Sequence, residues 1–176
     1  MAIEKVRINR APVLTLWATI VAERLGFDGD EALTLGKAVA GLNAQAKGQR
    51  LGIFTPGKEK SEGARQRPAG EQYVVYVVGR PVPATNTPAG VRATIKGEPI
   101  RPESVRRYLE GKFGDALADV RAAMEELARS FSPQELADQA FRLYEKFRPA
   151  IPAGVQGWGA EGELDLAQIR SLVARQ

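Results

Sequence analysis

Tyr73-Val74-Val75-Tyr76-Val77-Val78 is the stretch on which the fold class turns. Its residues are all β-branched or aromatic, it is too short for a typical helix, and Gly70 and Gly79 bound it. It therefore predicts a strand buried on both faces or nearly so. Downstream, Arg80 to Gly90 is rich in Pro and Thr and reads as a loop, and Val91-Arg92-Ala93-Thr94-Ile95 alternates as a second strand before Gly97. Upstream, Thr55 to Gln72 is made of Pro, Gly, Lys, Glu, Ser, Arg and Gln with almost nothing apolar, the composition of a mobile loop.

Helical signals lie on both sides of this middle. Pro12 suits a first turn, and Val13, Leu14, Leu16, Trp17, Ile20, Val21 and Leu25 recur at spacings of three and four until Gly26. Asp28-Gly29-Asp30-Glu31 is a capping box for a second helix carrying Ala32, Leu33, Leu35, Ala38, Val39 and Leu42, which Gly48 should end. Gly36, Ala40 and Gly41 form a small-residue strip along which another helix can approach closely. After Pro102, Val105, Tyr108, Leu109 and Phe113 share a face that stops at Gly114. Asp115 should cap a helix with Leu117, Val120, Met124, Leu127 and Phe131 at heptad spacing. Ser132-Pro133-Gln134-Glu135 opens another, running on Leu136, Ala140, Leu143, Tyr144 and Phe147 to Pro149. Asp165 and Gln168 cap a last short helix.

The expectation is an α+β protein, mostly helical, with four segments sharing one core. These are an N-terminal helical hairpin (1–54), a basic mobile loop (55–72), a small sheet (73–101) and a C-terminal helical region (102–176).

The 176 residues include no Cys and no His. Disulfides, cysteine nucleophiles, Ser-His triads, zincins and His-ligated haem are thereby excluded, and any catalysis would run on carboxylates, Lys, Tyr or Ser. No cofactor or metal is expected. No apolar run approaches the roughly 18–20 residues of a membrane span, so no membrane partner is expected. Charges at Glu4, Lys5 and Arg7 fall where a secretory signal needs its apolar region, which points to the cytoplasm.

Charge is laid out unevenly. Residues 1–46 are neutral, 47–107 carry twelve cationic side chains against five carboxylates, and 108–176 carry eight against eleven. A basic middle suits a surface facing a polyanion, since phosphate contacts come from clustered Lys and Arg; the plainer alternative is a solvated segment kept soluble by charge. The expected nucleic-acid contacts are Lys47, Arg50, Lys58, Lys60, Arg65, Arg67, Arg80, Arg92 and Lys96, with Phe54, Tyr73 or Tyr76 stacking or anchoring. The leading expectation is non-enzymatic binding of nucleic acid, DNA first, with little sequence preference. The alternative is a protein-interaction or self-assembling module, a possible homo-oligomer, whose interface is the apolar first hairpin. A third class is an enzyme acting on an anionic substrate with Lys, Arg and carboxylates, which would need a concave pocket lined by such groups.

Other motifs are incomplete. Ala22 and Gly26 have the spacing of a DNA-reading helix-turn-helix, but the second helix offers base edges chiefly Thr34 and Lys37. Gly52 to Lys58 matches most of a P-loop, yet Glu59 stands where Ser or Thr must hold Mg²⁺. Tyr108 and Lys112 share the spacing of the dehydrogenase Tyr-Lys pair without a dinucleotide site before them. Glu125 and Glu126 are adjacent and diverge around a helix, so they alone make no paired-carboxylate site.

The stretches Arg7-Ile8-Asn9-Arg10-Ala11-Pro12-Val13-Leu14-Thr15-Leu16-Trp17, Tyr108-Leu109-Glu110-Gly111-Lys112-Phe113-Gly114, Leu143-Tyr144-Glu145-Lys146-Phe147-Arg148-Pro149 and Gly157-Trp158-Gly159 resemble a family of uncharacterised bacterial proteins. The similarity runs along the whole chain. It implies a shared fold, and because the family has no assigned activity it carries over no functional residue.

Overall fold

The computed structural model describes residues 5–50, 72–95, 98–149 and 161–173, with the backbone alone for 43–50, 72 and 161. In chain order the elements are β1 (Lys5–Asn9), α1 (Arg10–Arg24), α2 (Gly29–Arg50), β2 (Gln72–Val77), β3 (Arg80–Thr87), β4 (Gly90–Ile95) and β5 (Glu98–Pro99). Then come α3 (Pro102–Phe113), α4 (Leu117–Arg129), α5 (Pro133–Phe147), β6 (Glu161–Asp165) and α6 (Leu166–Ser171). The fold is α+β, with helices towards both ends and a small antiparallel sheet in the middle.

Helix α1 is the axis of the molecule. Every residue from Pro12 to Ala22 is buried, because α2, α3, α4 and α5 all pack on it. A helix buried all round cannot leave polar groups unmatched. Its threonines bond back along the helix, Thr15 to the Ala11 carbonyl (2.9 Å) and Thr19 to that of Thr15 (2.7 Å). The Trp17 indole N–H donates to the Ala140 carbonyl (2.9 Å), and its ring meets Phe147 edge-on at 5.3 Å. Arg10 and Arg24 tie the two ends of α1 to the carbonyls of Pro149 and Phe131, just beyond either end of α5 (2.9 Å each).

The turn into α2 uses Gly26 at φ +114°, a conformation L side chains avoid. The capping box then forms as the sequence predicts: Asp28 accepts from the Glu31 N–H (2.8 Å) and Glu31 from the Asp28 N–H (3.0 Å). At Gly36 the two helices are in tight contact. A β-carbon there would meet the Thr19 hydroxyl and lie 2.5 Å from the Thr15 carbonyl oxygen. The helix runs to Arg50, two residues past the predicted stop at Gly48.

The sheet has the order β2-β3-β4-β5 and rests on α2. Residues 80–87, expected to be loop, form β3. Pro81 and Pro83 are tolerated there because β3 pairs with β4 only from Ala84 onward, so their missing N–H groups cost no ladder bond to that strand. Val78 and Gly79 make the tight β2–β3 turn, both at positive φ. Val78, at +52°, is a strained β-branched residue held by burial of its side chain. Side chains of α2 meet the backbone of β4: Glu31 accepts from the Val91 N–H (2.8 Å) and Thr34 from the Ala93 N–H (3.0 Å).

A second sheet, unforeseen from the sequence, joins β1 to β6 in antiparallel register from Lys5↔Asp165 to Asn9↔Glu161, burying Ile8 and Leu164. In the C-terminal region, Ser132 and Glu135 form their capping box and Asp165 accepts from the Ala167 N–H (2.9 Å). Asp115 is not a cap: it lies in a 3₁₀ turn, Gly114–Ala116, and α4 starts after Ala116 with no side-chain cap. No helix among the described residues is long and apolar enough to cross a membrane.

Candidate functional site

Strand β2 departs from its predicted burial. Val75 and Val77 turn inward with Val82 opposite, while Val74 and Tyr76 face out. Register places Val74 opposite Pro83 and Tyr76 opposite Pro81, so two prolines and two large apolar side chains share this outward face. Val74 is 51% exposed and Tyr76 69%. Tyr73 belongs to the other face, where its hydroxyl donates to Asn86 Oδ1 (2.7 Å) and burial, with Glu31 nearby, pushes its phenol up. Ile95, at 53%, completes the exposed large apolar residues among those described, all of them on the sheet.

The predicted cationic contacts divide three ways. Lys47 and Arg50 lie on the last turns of α2, where the backbone alone is described, and Lys58, Lys60, Arg65, Arg67 and Lys96 lie outside the described residues, as do Phe54 and the P-loop-like stretch. Arg80 is half-buried on β3 with its guanidinium 4.7 Å from the centre of the Phe141 ring. Arg92, expected to be displayed, is 7% exposed. It sits opposite Thr85 in the paired centre of the sheet, and its guanidinium bonds back to the Val91 carbonyl (2.9 Å). Neither of these two arginines extends freely toward a partner, and the most exposed large apolar side chain described on the sheet is Tyr76.

Three other readings lose their geometry. Thr34 and Lys37, the polar face of a would-be recognition helix, are spent inside the molecule. Thr34 is fully buried on the Ala93 N–H, and the Lys37 ammonium lies 3.8 Å over the Tyr108 ring, its pKa lowered by burial and by Lys112. Burial raises the Tyr108 phenol pKa, the opposite of what a catalytic tyrosine needs, and the cation against it is Lys37, with Lys112 exposed. The apolar first hairpin, offered as an interface, is taken up by the core from Pro12 to Ala22. No group of three carboxylates gathers as a metal site among the described residues.

No family model matches the chain, and neither a curated protein nor a solved structure matches it.

Proposed function

We propose that the protein binds nucleic acid non-enzymatically and with little sequence preference, DNA in the first instance, through the outer face of the β2–β3 hairpin and the basic chain that leads into it. The observation that carries this reading is Tyr76, a large aromatic ring 69% exposed beside Val74 and Pro81, within the segment that holds the surplus of cationic side chains. An exposed ring accepts any base by stacking, worth roughly 1–3 kcal/mol per base and indifferent to sequence. Phosphate neutralisation falls to Lys58, Lys60, Arg65 and Arg67, with Lys47, Arg50 and Lys96. Arg67 precedes Tyr73 by six residues, so the covalent chain keeps their backbones within about 20 Å. Arg92 and Arg80 drop out as phosphate contacts, being buried and packed on Phe141 respectively.

Fluorescence-anisotropy titration of labelled single-stranded and duplex DNA at about 50 and 200 mM salt tests this, the range over which phosphate contacts reveal themselves. The expected result is affinity that falls steeply with salt, is weakened by Arg65→Ala with Arg67→Ala, and drops on Tyr76→Ala. Absence of binding at low salt overturns the proposal. A salt-insensitive oligomer lost on Tyr76→Ala would instead favour protein interaction through the uncharged β2 strand.

A further inference from the structure

At the start of α1 and the end of α5, two guanidiniums and a phenol meet with no carboxylate between them among the described residues. Arg10, the first residue of α1, donates from Nε to the Pro149 carbonyl (2.9 Å), which leaves both of its Nη groups unbonded among the described residues. Arg148, the residue before Pro149, holds its guanidinium 5.9 Å from the centre of the Tyr144 ring and makes no side-chain hydrogen bond or ion pair among those residues. Tyr144 is 1% exposed, and its hydroxyl has no hydrogen bond among them either. Both guanidiniums act on that hydroxyl: burial pushes its pKa up to about 12, although Arg148 and Arg10 each pull it down. The Arg10 pKa is lowered by burial and by Arg148, and no carboxylate acts to raise it. Acidic side chains in this region are turned elsewhere. Glu145, a turn before Arg148, makes no ion pair with it, Glu163 pairs with Lys5 (3.6 Å), and Asp165 caps α6. Asn9 gives α1 no side-chain cap and the first turn holds no acidic residue, so the positive end of the helix dipole adds to the two cations.

We infer that this is a binding site for a phosphoryl dianion, inorganic phosphate or a phosphate monoester, held by the Arg10 Nη groups, the Arg148 guanidinium and the Tyr144 O–H. Two uncompensated cations and three separate donor groups match its charge of about −1.5 to −2 and its three acceptor oxygens. A carboxylate brings one charge and two oxygens, and would leave one of the donors without an acceptor. A cation is repelled by both guanidiniums. A phenol with its pKa pushed up to about 12 stays protonated at neutral pH, so it has a proton to donate to the anion. The site shares no residue with the sheet face and stands or falls independently of it.

The test is an NMR chemical-shift titration of the full chain, at constant ionic strength, with inorganic phosphate, phenyl phosphate and acetate in parallel. Saturable shifts of the Arg10, Ala11 and Arg148 amides are expected with the two phosphates and not with acetate. Tighter binding of phenyl phosphate identifies an organic monoester as the ligand, and equal or tighter binding of inorganic phosphate the free ion. Arg148→Gln should lower affinity at least tenfold. Tyr144→Phe, which keeps the buried ring and removes only the hydroxyl, should lower it several-fold. Equal binding of acetate, absence of saturable shifts with either phosphate, or unchanged affinity in either variant overturns the assignment.

Discussion

Helix α1 and strand β2 are the two most apolar stretches of the chain, and the fold treats them oppositely. Between Pro12 and Ala22 the helix has no exposed side chain, since four helices surround it. Strand β2 sets Val75 and Val77 inward but leaves Val74 and Tyr76 more than half exposed. A helix can be covered on every side by other helices. A strand in a single sheet over one helix has only one covered face. Apolar character therefore means core in the first case and surface in the second, and the proposed contact face is the exposed β2–β3 hairpin rather than the buried apolar helix.

The sharpest test of this contrast is a pair of truncations. Trp17→Ala removes a ring packed on Phe147 and leaves the Ala140 carbonyl unpaired, so urea denaturation should show a loss of about 3–5 kcal/mol. Tyr76→Ala should change stability by less than about 0.5 kcal/mol while weakening DNA binding. Equal destabilisation by the two would break the comparison. Gly36→Ala comes next: Ala is the better helix former by about 1 kcal/mol, yet the added methyl strikes Thr15 and Thr19, and a net loss of roughly 1–3 kcal/mol is expected in the same measurement. Asp28→Ala should cost about 1 kcal/mol by freeing an N-terminal N–H of α2, a local effect that leaves α1 packed.

The smallest effects concern two glutamates whose pKa values move in opposite directions. Hydrogen bonds from the Ser132 backbone and side chain lower the Glu135 pKa, so its contribution is present above the ordinary carboxylate range and fades as pH falls through the lowered value. Burial raises the Glu23 pKa, so its ionised form is disfavoured in the folded state, and stability recovers as pH falls from the raised value toward the ordinary one. Thermal melts across pH should show Glu135→Gln slightly less stable than the parent at neutral pH and Glu23→Gln slightly more stable, with both differences vanishing in acid.

What is local in the chain was legible from it. The capping boxes at Asp28/Glu31 and Ser132/Glu135, the stop at Gly26 and the three amphipathic helices after Pro102 each depend on residues within a turn or two of one another. The α+β class followed from a single β-branched run between helical patterns. Of the candidate interface, the sequence supplied the charge surplus and the aromatic residues, but it could not choose between Tyr73 and Tyr76 or foresee that Arg92 would be buried, because those outcomes depend on strand register and on which face α2 covers.

Tertiary structure alone decided the pairing of β1 with β6, whose partners stand at opposite ends of the chain. It decided as well that a stretch of Pro, Thr and Asn would be β3, since a strand of weak propensity is held by its neighbours rather than by its own residues. The Glu23–Arg121 pair, 98 residues apart, belongs with these. Caps and periodicity are written into neighbouring residues, whereas burial, register and the meeting of distant charges exist only once the chain has closed on itself.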